Sequence, residues 1–317
     1  MPLPFRRLGI VGRDVARRVI LAALLPTTKR LWLGPRHLLG ARLLAHVAQR
    51  YRVEAIASWG VGRAFSETAR RTATLAGLPY AALEDGFVRS VRPGVLGEPG
   101  LSLVTDPVGI HYDSTRPSQL ERLIVEPESG EPDLLHRAAD AMTLLRRLRV
   151  SKYNHAPNVV PDGLGDDIAL VVDQRLGDVS VRLSGAGEDA FKAMLELAIA
   201  EHGAARVIAK VHPDAVVGGR GSCLAPFLAD AGVRVVAASV NPWALLDRAR
   251  AVYTVSSLLG FEALVAGVPV TCFGLPFYAG WGLTRDRLAC PRRTACVPVE
   301  QVFAAAYLRY SRYADPV

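Results

Sequence analysis

The chain has 317 residues, enough for one large domain or two domains of about 150 residues each. Half of the residues are hydrophobic and 21% are charged, which excludes a disordered or low-complexity protein and indicates a buried core. No apolar run approaches the ~20 residues that span a bilayer, since the best candidate, residues 19–25, ends at Pro26. We therefore expect a cytoplasmic protein.

The formal net charge is +8, and nearly all basic residues are arginines. This excess favours anionic partners such as nucleic acid, an anionic membrane surface, or phosphorylated and carboxylated small molecules. An arginine bias of the genome would give the same composition. No Lys/Arg-rich tail of the kind that binds nucleic acid occurs, so we expect no nucleic acid partner. Five arginines flank the apolar residues 19–25, which suits either peripheral membrane association or an ordinary surface helix: Arg6, Arg7, Arg13, Arg17 and Arg18.

Short β-rich runs alternate with longer helical stretches, which predicts an α/β architecture with parallel sheets. In the first half, the predicted strands are residues 53–58 and 80–83, and the predicted helices are 66–76, 117–123 and 132–148. Ser66 is expected to cap its helix, which ends near Gly77 and Pro79.

A polar stretch at residues 154–167 separates this half from a second alternation. The predicted strands there are 168–172, 206–211, 233–237, 252–255 and 268–273, and the predicted helices are 188–202, 260–266, 299–310 and a short one that opens at Asn241. The pattern predicts two Rossmann-like lobes, residues 1–160 and 161–317, with the last helix returning to the first lobe. This is the layout of GT-B glycosyltransferases.

Polar residues directly after predicted strands are the candidate site, because open α/β sheets bind ligands at the carboxyl ends of their strands. Glu84 and Asp85 follow one strand and suit a general base, although an ordinary Asp-Gly turn is the alternative. The loop 173–178 follows a buried strand and offers a carboxylate for a nucleophile or base, or is simply solvated. Lys210 and His212 end the next strand, where they suit a phosphate or a carboxylate.

Further candidate features come later in the chain. Ser256 and Ser257 precede a helix and form an anion site, a helix cap, or both. Glu262, one turn further on, is placed to accept hydrogen bonds from ribose hydroxyls. Residues 273–282 are aromatic and glycine-rich, which suits a loop over a ligand or a packed linker.

The four cysteines lack zinc or disulfide spacing, and no Asp-x-Asp occurs, so we expect no metal site and disfavour a GT-A enzyme.

Several segments, taken together and in this order, resemble a known family. They are EDGFVRS from Glu84, VVDQRLGDVSVR from Val171, KVHPD from Lys210, NPWALLDR from Asn241, VYTVSSLLGFEALVAGVPV from Val252 and CFGLPFYAGWGLTRDR from Cys272. The set resembles the capsule polysaccharide biosynthesis proteins of the KpsC/LipB type, which are retaining β-Kdo transferases. The resemblance runs from Val53 to the end of the chain, and the residues before it match the pattern poorly.

The resemblance implies a GT-B enzyme that moves Kdo from CMP-β-Kdo to a (lyso)phosphatidylglycerol- or Kdo-terminated lipid acceptor, without cofactor or metal. It also implies that the enzyme acts at the inner face of the inner membrane, beside other capsule synthesis and export proteins. Asp178, in a Gln-x-x-Gly-Asp segment, resembles the nucleophile, and Glu84 or Asp85 the base. The resemblance assigns CMP-Kdo binding to Gln174, Lys210, His212, Pro213, Ser256, Ser257 and Glu262.

Typical members of that family carry two tandem transferase modules, whereas this chain matches one. We therefore expect a single type of linkage, or one module of a larger enzyme. Two other classes of function stay open at this point. One is a different GT-B transferase, such as a sialyltransferase-like protein that uses a CMP-sugar, or a heptosyltransferase-like protein. The other is a non-catalytic, basic accessory protein that binds lipid or RNA.

Overall fold

The structure, a computed structural model, describes residues 5–12, 17–33, 40–187, 189–211 and 221–314. The first elements in chain order are β1 (Arg7–Val11), α1 (Arg17–Leu24), β2 (Lys29–Trp32), α2 (Gly40–Arg50), β3 (Ala55–Trp59), α3 (Ala64–Ala76), β4 (Tyr80–Asp85), β5 (Ser102–Asp106), α4 (Gln119–Val125) and α5 (Pro132–Leu148). The remaining ones are β6 (Ile168–Val172), α6 (Val179–Leu183), α7 (Asp189–His202), β7 (Val207–Lys210), α8 (Ala225–Leu228), β8 (Arg234–Val236), α9 (Pro242–Leu246), β9 (Ala249–Thr254), α10 (Leu258–Ala266), β10 (Val270–Cys272), β11 (Arg285–Asp286), α11 (Val299–Phe303) and β12 (Ser311–Tyr313).

The chain divides into two compact units. The first comprises the described parts of Met1–Ile110, Pro117–Leu123 and Ala305–Val317, and the second comprises His111–Arg116 and Ile124–Ala304. Residues 124–160, which the sequence prediction placed in the first lobe, group with the second unit. The reason is that α5 packs against α10 and α11.

The first unit is built on a six-stranded sheet of order β12-β5-β4-β3-β1-β2. Strands β1 to β4 run parallel, and β5 pairs antiparallel with both β4 and β12. All five residues of β3 are buried, because apolar side chains cover both faces of the sheet. The last described strand, β12, joins this sheet, so the predicted return of the chain end to the first lobe is confirmed.

The second unit is built on a parallel sheet of order β11-β10-β9-β6-β7-β8. This is the Rossmann order 3-2-1-4-5-6, with β6 as its first strand. β6 is a continuous apolar run and all of its residues are buried, as expected for a central parallel strand covered on both faces. Phe191 and Met194 of α7 pack against Val171 and Tyr253 in the core.

Most predicted elements are present, with ends that shift by a few residues. Strand 168–172 and helix 132–148 are confirmed at both ends. The prediction that Ser66 caps α3 is wrong, because the N-cap residue is Arg63. The hydroxyl of Ser66 instead accepts a hydrogen bond from the Arg63 N–H and donates to its carbonyl. The last helix is not uniform, since α11 continues as a π-helix over Ala304–Tyr310.

No helix within the part of the chain that the structure describes is long and apolar enough to cross a membrane.

Candidate active site

The second sheet has its topological switch point between β6 and β9, which lie side by side while the chain winds away from them in opposite directions. The crevice at the carboxyl ends of two such strands is where open α/β sheets bind ligands. The segment that follows β6 carries Asp173, Gln174 and Asp178, and the segment that follows β9 carries Ser256 and Ser257. Four of the predicted site residues, Gln174, Asp178, Ser256 and Ser257, therefore lie at the ends of the two strands that define this crevice.

Gln174 and Ser256 join the two segments directly. The Ser256 N–H donates to Gln174 Oε1 at 2.8 Å, and Gln174 Nε2 donates to Ser256 Oγ at 3.0 Å. Gln174 is only 6% exposed, and these bonds satisfy its buried amide. The two residues form a preorganised polar wall on which a ligand can bind.

Asp178 is the N-cap residue of α6. Its Oδ1 accepts hydrogen bonds from the backbone N–H and from the hydroxyl of Ser180, each at 2.9 Å. Gly177, which precedes it, has φ +76°, a left-handed conformation that a residue with a side chain rarely adopts. Asp178 is half-buried, and its Oδ2 accepts no hydrogen bond from the residues that the structure describes. One oxygen of this carboxylate thus serves the fold, and the other is available for chemistry.

Ser257 has a different role from its neighbour. Its hydroxyl caps α10 by accepting from the Leu259 N–H at 3.3 Å, and its carbonyl accepts from Tyr278 Oη at 2.5 Å. The capping interpretation of the serine pair therefore applies to Ser257, whereas Ser256 contacts Gln174. The first turn of α10 nevertheless presents backbone N–H groups at the edge of the same sheet.

Lys210 ends β7 and is 9% exposed. Its Nζ donates to the carbonyls of Val211 and Ala238, both at 3.1 Å. Burial lowers the pKa of Lys210 from 10.5 to about 8, and the negative charge of Asp173 opposes that shift. His212 and Pro213, the next two predicted ligands, lie outside the described residues.

Asp173 braces the chain rather than facing solvent. It is 4% exposed, and its Oδ1 accepts from the Leu224 N–H at 3.0 Å. Its Oδ2 is buried and accepts no hydrogen bond within the described part of the chain. The Asp173 charge therefore acts on Lys210 through space.

Glu262 lies on α10 and is 6% exposed. Its Oε1 accepts from the hydroxyl of Ser151 at 2.5 Å, and the backbone of Lys152 also donates to the carboxylate. Burial raises the pKa of Glu262 to about 7, although these hydrogen bonds oppose the shift. A ribose that used Glu262 would have to share the carboxylate with the segment 151–152, or displace it.

The aromatic segment 273–282 is a packed element, since its residues from 273 to 279 are all buried. Arg293 Nη1 donates to the carbonyls of Pro276 and Ala279 at 2.5 and 3.0 Å, and Asp286 accepts from the Gly280 N–H at 2.8 Å. Of the two interpretations of this segment, the structure favours the packed one.

In the first unit, Glu84 and Asp85 are the last two residues of β4. Glu84 Oε1 accepts from the indole N–H of Trp59 at 2.9 Å and from the Asp85 N–H at 3.0 Å. Asp85 forms an ion pair with Arg89 at 3.0 Å, in which the two side chains are 14% and 7% exposed. Arg89 also donates to Ser90 and to the Glu98 carbonyl. Asp85 therefore anchors the turn after β4, whereas Glu84 contacts the neighbouring strand β3.

Sequence reasoning missed several residues that shape these sites. Ser180 contacts Asp178, Gln174 and Ser256, and Ser151 holds Glu262. The N-cap preference of aspartate was the available signal for Ser180, because a residue two positions after an N-cap Asp donates to it. No group of three or more His, Cys, Asp or Glu side chains in the described ranges is placed to hold a metal ion.

Together these features define a two-unit α/β protein with a Rossmann-type crevice lined by amide, hydroxyl and carboxylate groups. Residues 54–159 and 164–313 match the family model of the capsule polysaccharide biosynthesis proteins. The chain belongs to this family, as its motifs predicted.

Curated relatives agree with that assignment. The chain is 41% identical over 274 residues to the capsule polysaccharide modification protein LipA of Neisseria meningitidis serogroup A, an alignment that covers 83% of this chain and 39% of LipA. It is 36% identical over 268 residues to the lipopolysaccharide-processing protein LpsZ of Rhizobium meliloti, which covers 83% of this chain and 60% of LpsZ. The chain thus spans less than two thirds of the length of either relative.

Two solved structures are also similar. The beta Kdo 2,4 transferase of Thermosulfurimonas dismutans KpsC is 39% identical with a TM-score of 0.86, and the match covers 98% of this chain and 93% of that one. The beta Kdo 2,7 transferase of the same KpsC is 27% identical with a TM-score of 0.68, at the same coverage. The predicted GT-B-like fold is confirmed by the first match.

Proposed function

We propose that this chain is a retaining β-Kdo transferase that uses CMP-β-Kdo as its donor. The observation that carries the proposal is the hydrogen-bonded set of Gln174, Asp178, Ser180 and Ser256 at the switch point of the second sheet. Crevices at such points take nucleotides in many doubly wound proteins. The similarity to a beta Kdo 2,4 transferase supports Kdo as the transferred sugar.

The donor brings two anions to the site, the phosphate of its CMP leaving group and the carboxylate next to its reacting carbon. We assign these anions to Ser256, Ser257 and the first turn of α10, where hydroxyl and N–H donors gather. Lys210 supplies a positive charge at the end of β7. His212 and Pro213, which follow it in the sequence, are proposed ligands of the donor as well. Gln174 orients Ser256, and Glu262 stays a proposed ribose ligand. This set neutralises the phosphate without a metal, so transfer should persist in EDTA.

Retention of configuration follows from two displacements. In the first, an oxygen of Asp178 attacks the anomeric carbon while the bond to the CMP phosphate breaks and its electron pair leaves with CMP. In the second, the acceptor hydroxyl loses its proton to a base and attacks the same carbon from the opposite face, which releases the Asp178 carboxylate. Each step inverts the centre, so the product retains the donor's configuration.

For the acceptor we propose a lipid that ends in Kdo, in preference to (lyso)phosphatidylglycerol itself. Similarity to the 2,4 transferase exceeds that to the 2,7 transferase, which favours a linkage to the 4-hydroxyl of an acceptor sugar. A net charge of +8 favours association with the anionic inner face of the inner membrane, beside other capsule synthesis and export proteins.

The proposal is tested by incubating the protein with CMP-Kdo generated in situ and a synthetic Kdo-bearing lipid, followed by mass spectrometry. The acceptor is supplied in anionic vesicles and, separately, in neutral detergent micelles. We expect a lipid heavier by one Kdo, formed faster on vesicles. Transfer from CMP-sialic acid alone would indicate another CMP-sugar transferase, and lipid binding without transfer from either donor would indicate an accessory protein.

The pH dependence of donor binding tests Lys210. If its ammonium group binds the donor, CMP affinity should fall as pH rises through about 8, because the cation loses its proton there. The range from pH 7 to 9 is suitable, since the phosphate is already a dianion above its second pKa of about 6. Calorimetry at several pH values measures the effect.

Two variants sharpen this prediction. Asp173→Asn removes the charge that supports the protonated lysine, so the fall should begin at a lower pH. Lys210→Met should bind CMP more weakly and show no fall. A wild-type affinity that stays constant from pH 7 to 9 would contradict the assignment of Lys210.

The choice of base rests on the contacts of the two carboxylates. Asp85 is held in its ion pair with Arg89, so we propose Glu84 as the base for the acceptor hydroxyl. Glu84→Gln should abolish transfer to lipid yet leave the first displacement intact, because that step needs no acceptor. Mass spectrometry should find the variant loaded with one Kdo from donor alone.

Asp85→Asn is the matched control. It leaves the mostly buried Arg89 without its anionic partner and should cost about 1–3 kcal/mol of stability, seen in thermal unfolding, with transfer largely kept. Loss of lipid transfer in Asp85→Asn with normal transfer in Glu84→Gln would reverse the assignment.

A further inference from the structure

Ser180, the second residue of α6, contacts three groups of the candidate site with one hydroxyl. Its Oγ lies 2.9 Å from Asp178 Oδ1, 3.2 Å from Gln174 Nε2 and 3.3 Å from Ser256 Oγ. Its backbone N–H donates to the same Asp178 oxygen. Ser180 therefore connects the Asp178 carboxylate to Gln174 and Ser256, the two residues that join the segments after β6 and β9.

The backbone N–H of Ser256 can only donate, and this fixes the direction of the hydrogen bonds around Ser180. The Ser256 N–H points at the Gln174 side chain, so the atom that faces it is the amide oxygen Oε1. Gln174 Nε2 then faces Ser180 Oγ and donates to it. A serine hydroxyl has a single hydrogen, which is left for Asp178 Oδ1. The donations from Gln174 Nε2 to Ser180 Oγ and from the Ser180 hydroxyl to Oδ1 thus lead to the Asp178 carboxylate.

We propose that Ser180 is a positioning residue that makes the two oxygens of Asp178 unequal. Oδ1 receives both hydrogen bonds from Ser180, whereas Oδ2 receives none from the described residues, so Oδ2 is the attacking oxygen. This inference rests on the proposed function, in which Asp178 is the nucleophile.

The contact with Ser180 has opposite effects on the two displacements. Attack by Oδ2 forms the ester bond as the CMP bond breaks, and it removes negative charge from the carboxylate, so the Ser180 bond to Oδ1 weakens. Attack by the acceptor breaks the ester bond and returns the electron pair and the charge to the carboxylate, so the Ser180 bond strengthens. Donors to a developing charge stabilise the transition state that forms it. Ser180 therefore accelerates release of the sugar from Asp178.

Ser180→Ala tests this inference, with Ser180→Thr as the variant that keeps a hydroxyl. A hydrogen bond to a charged group corresponds to a roughly ten- to hundredfold effect on a rate. We expect turnover of Ser180→Ala to fall by that factor while a larger fraction of the enzyme carries one Kdo during steady state. Quenched reactions and intact-mass spectrometry measure this fraction. Ser180→Thr should restore both values toward the wild type.

Ser184→Ala is the matched control, because Ser184 is the C-cap residue of the same helix and its hydroxyl donates to the Val181 carbonyl. It should leave turnover and the loaded fraction unchanged. Wild-type behaviour of Ser180→Ala, or lower turnover with an unchanged or smaller loaded fraction, would overturn the inference while Asp178 remains the nucleophile. A wild-type enzyme that transfers Kdo but never carries it on Asp178 would overturn the nucleophile itself.

Discussion

Replacing Asp178 by Asn should lower turnover by several orders of magnitude and leave CMP affinity nearly unchanged. The amide has no charge with which to attack the anomeric carbon, so the first displacement is lost. The fold should persist, since Asn caps helices as well as Asp does and its oxygen can accept both bonds from Ser180. Steady-state kinetics give the turnover, and calorimetry gives the CMP affinity.

A covalent adduct locates the nucleophile directly. With the donor alone, the wild-type peptide that contains Asp178 should gain the mass of one Kdo, and the Asp178→Asn peptide should not. Asp173→Asn is the comparison, because Asp173 lies in the same loop but accepts from the Leu224 N–H and braces the chain. It should cost much less turnover. An Asp178→Asn enzyme with near-normal rates, or an adduct on Asp173 or Glu84, would place the chemistry on another carboxylate.

The local rules of sequence reasoning predicted the elements with the strongest patterns. β6 is five apolar residues in a row between polar ones, and α5 begins at a proline and ends where Arg149 adopts φ +58°. Both were therefore predicted with correct ends. The start of α3 was not, because the Ser66 hydroxyl can bond the backbone from the third helical position as well as from the cap.

The composition of the site was predictable, but its contacts were not. Polar residues at strand ends identified Gln174, Asp178 and Ser256, since the carboxyl ends of parallel strands share one edge. That Gln174 contacts Ser256, 82 positions later, depends on the order of strands in the sheet. Sequence periodicity does not give that order, because a helical connection can place the next strand on either side.

The direction in which α10 points its polar side chain was also hidden. α10 is apolar on nearly all sides, so no amphipathic pattern indicates where Glu262 faces. In the structure Glu262 faces Ser151. The two residues before Ser151 accept hydrogen bonds from α9 and its N-cap residue. Asn241 Nδ2 donates to the Arg149 carbonyl and the Trp243 indole to the Val150 carbonyl, both at 2.9 Å. The NPW segment and Glu262 thus fasten the chain that leaves α5.

This arrangement makes stability depend on the protonation of Glu262. Its pKa is about 7 in the folded protein against 4.5 in the unfolded chain. Between these values the folded state binds a proton that the unfolded state lacks, so stability falls as pH rises through this window. Above pH 7 the ionised form remains buried at a cost of about 3 kcal/mol. Burial lowers the pKa of His111 to about 3, so His111 contributes the opposite trend. Its contribution to stability rises with pH from about 3 to its unfolded pKa of 6.5.

Glu262→Gln isolates the Glu262 contribution, because the amide has no charge at any pH while His111 titrates in both proteins. We expect the stability of the wild type relative to Glu262→Gln to fall by about 3 kcal/mol between pH 4.5 and 7.5. Urea unfolding followed by tryptophan fluorescence measures this difference, since Trp243 and Trp281 are buried in the second unit. Glu196→Gln is the control, since Glu196 is 65% exposed and pairs only loosely with Lys192 at 3.8 Å. Parallel stability curves for wild type and Glu262→Gln across this range would show that Glu262 stays ionised against Ser151 throughout.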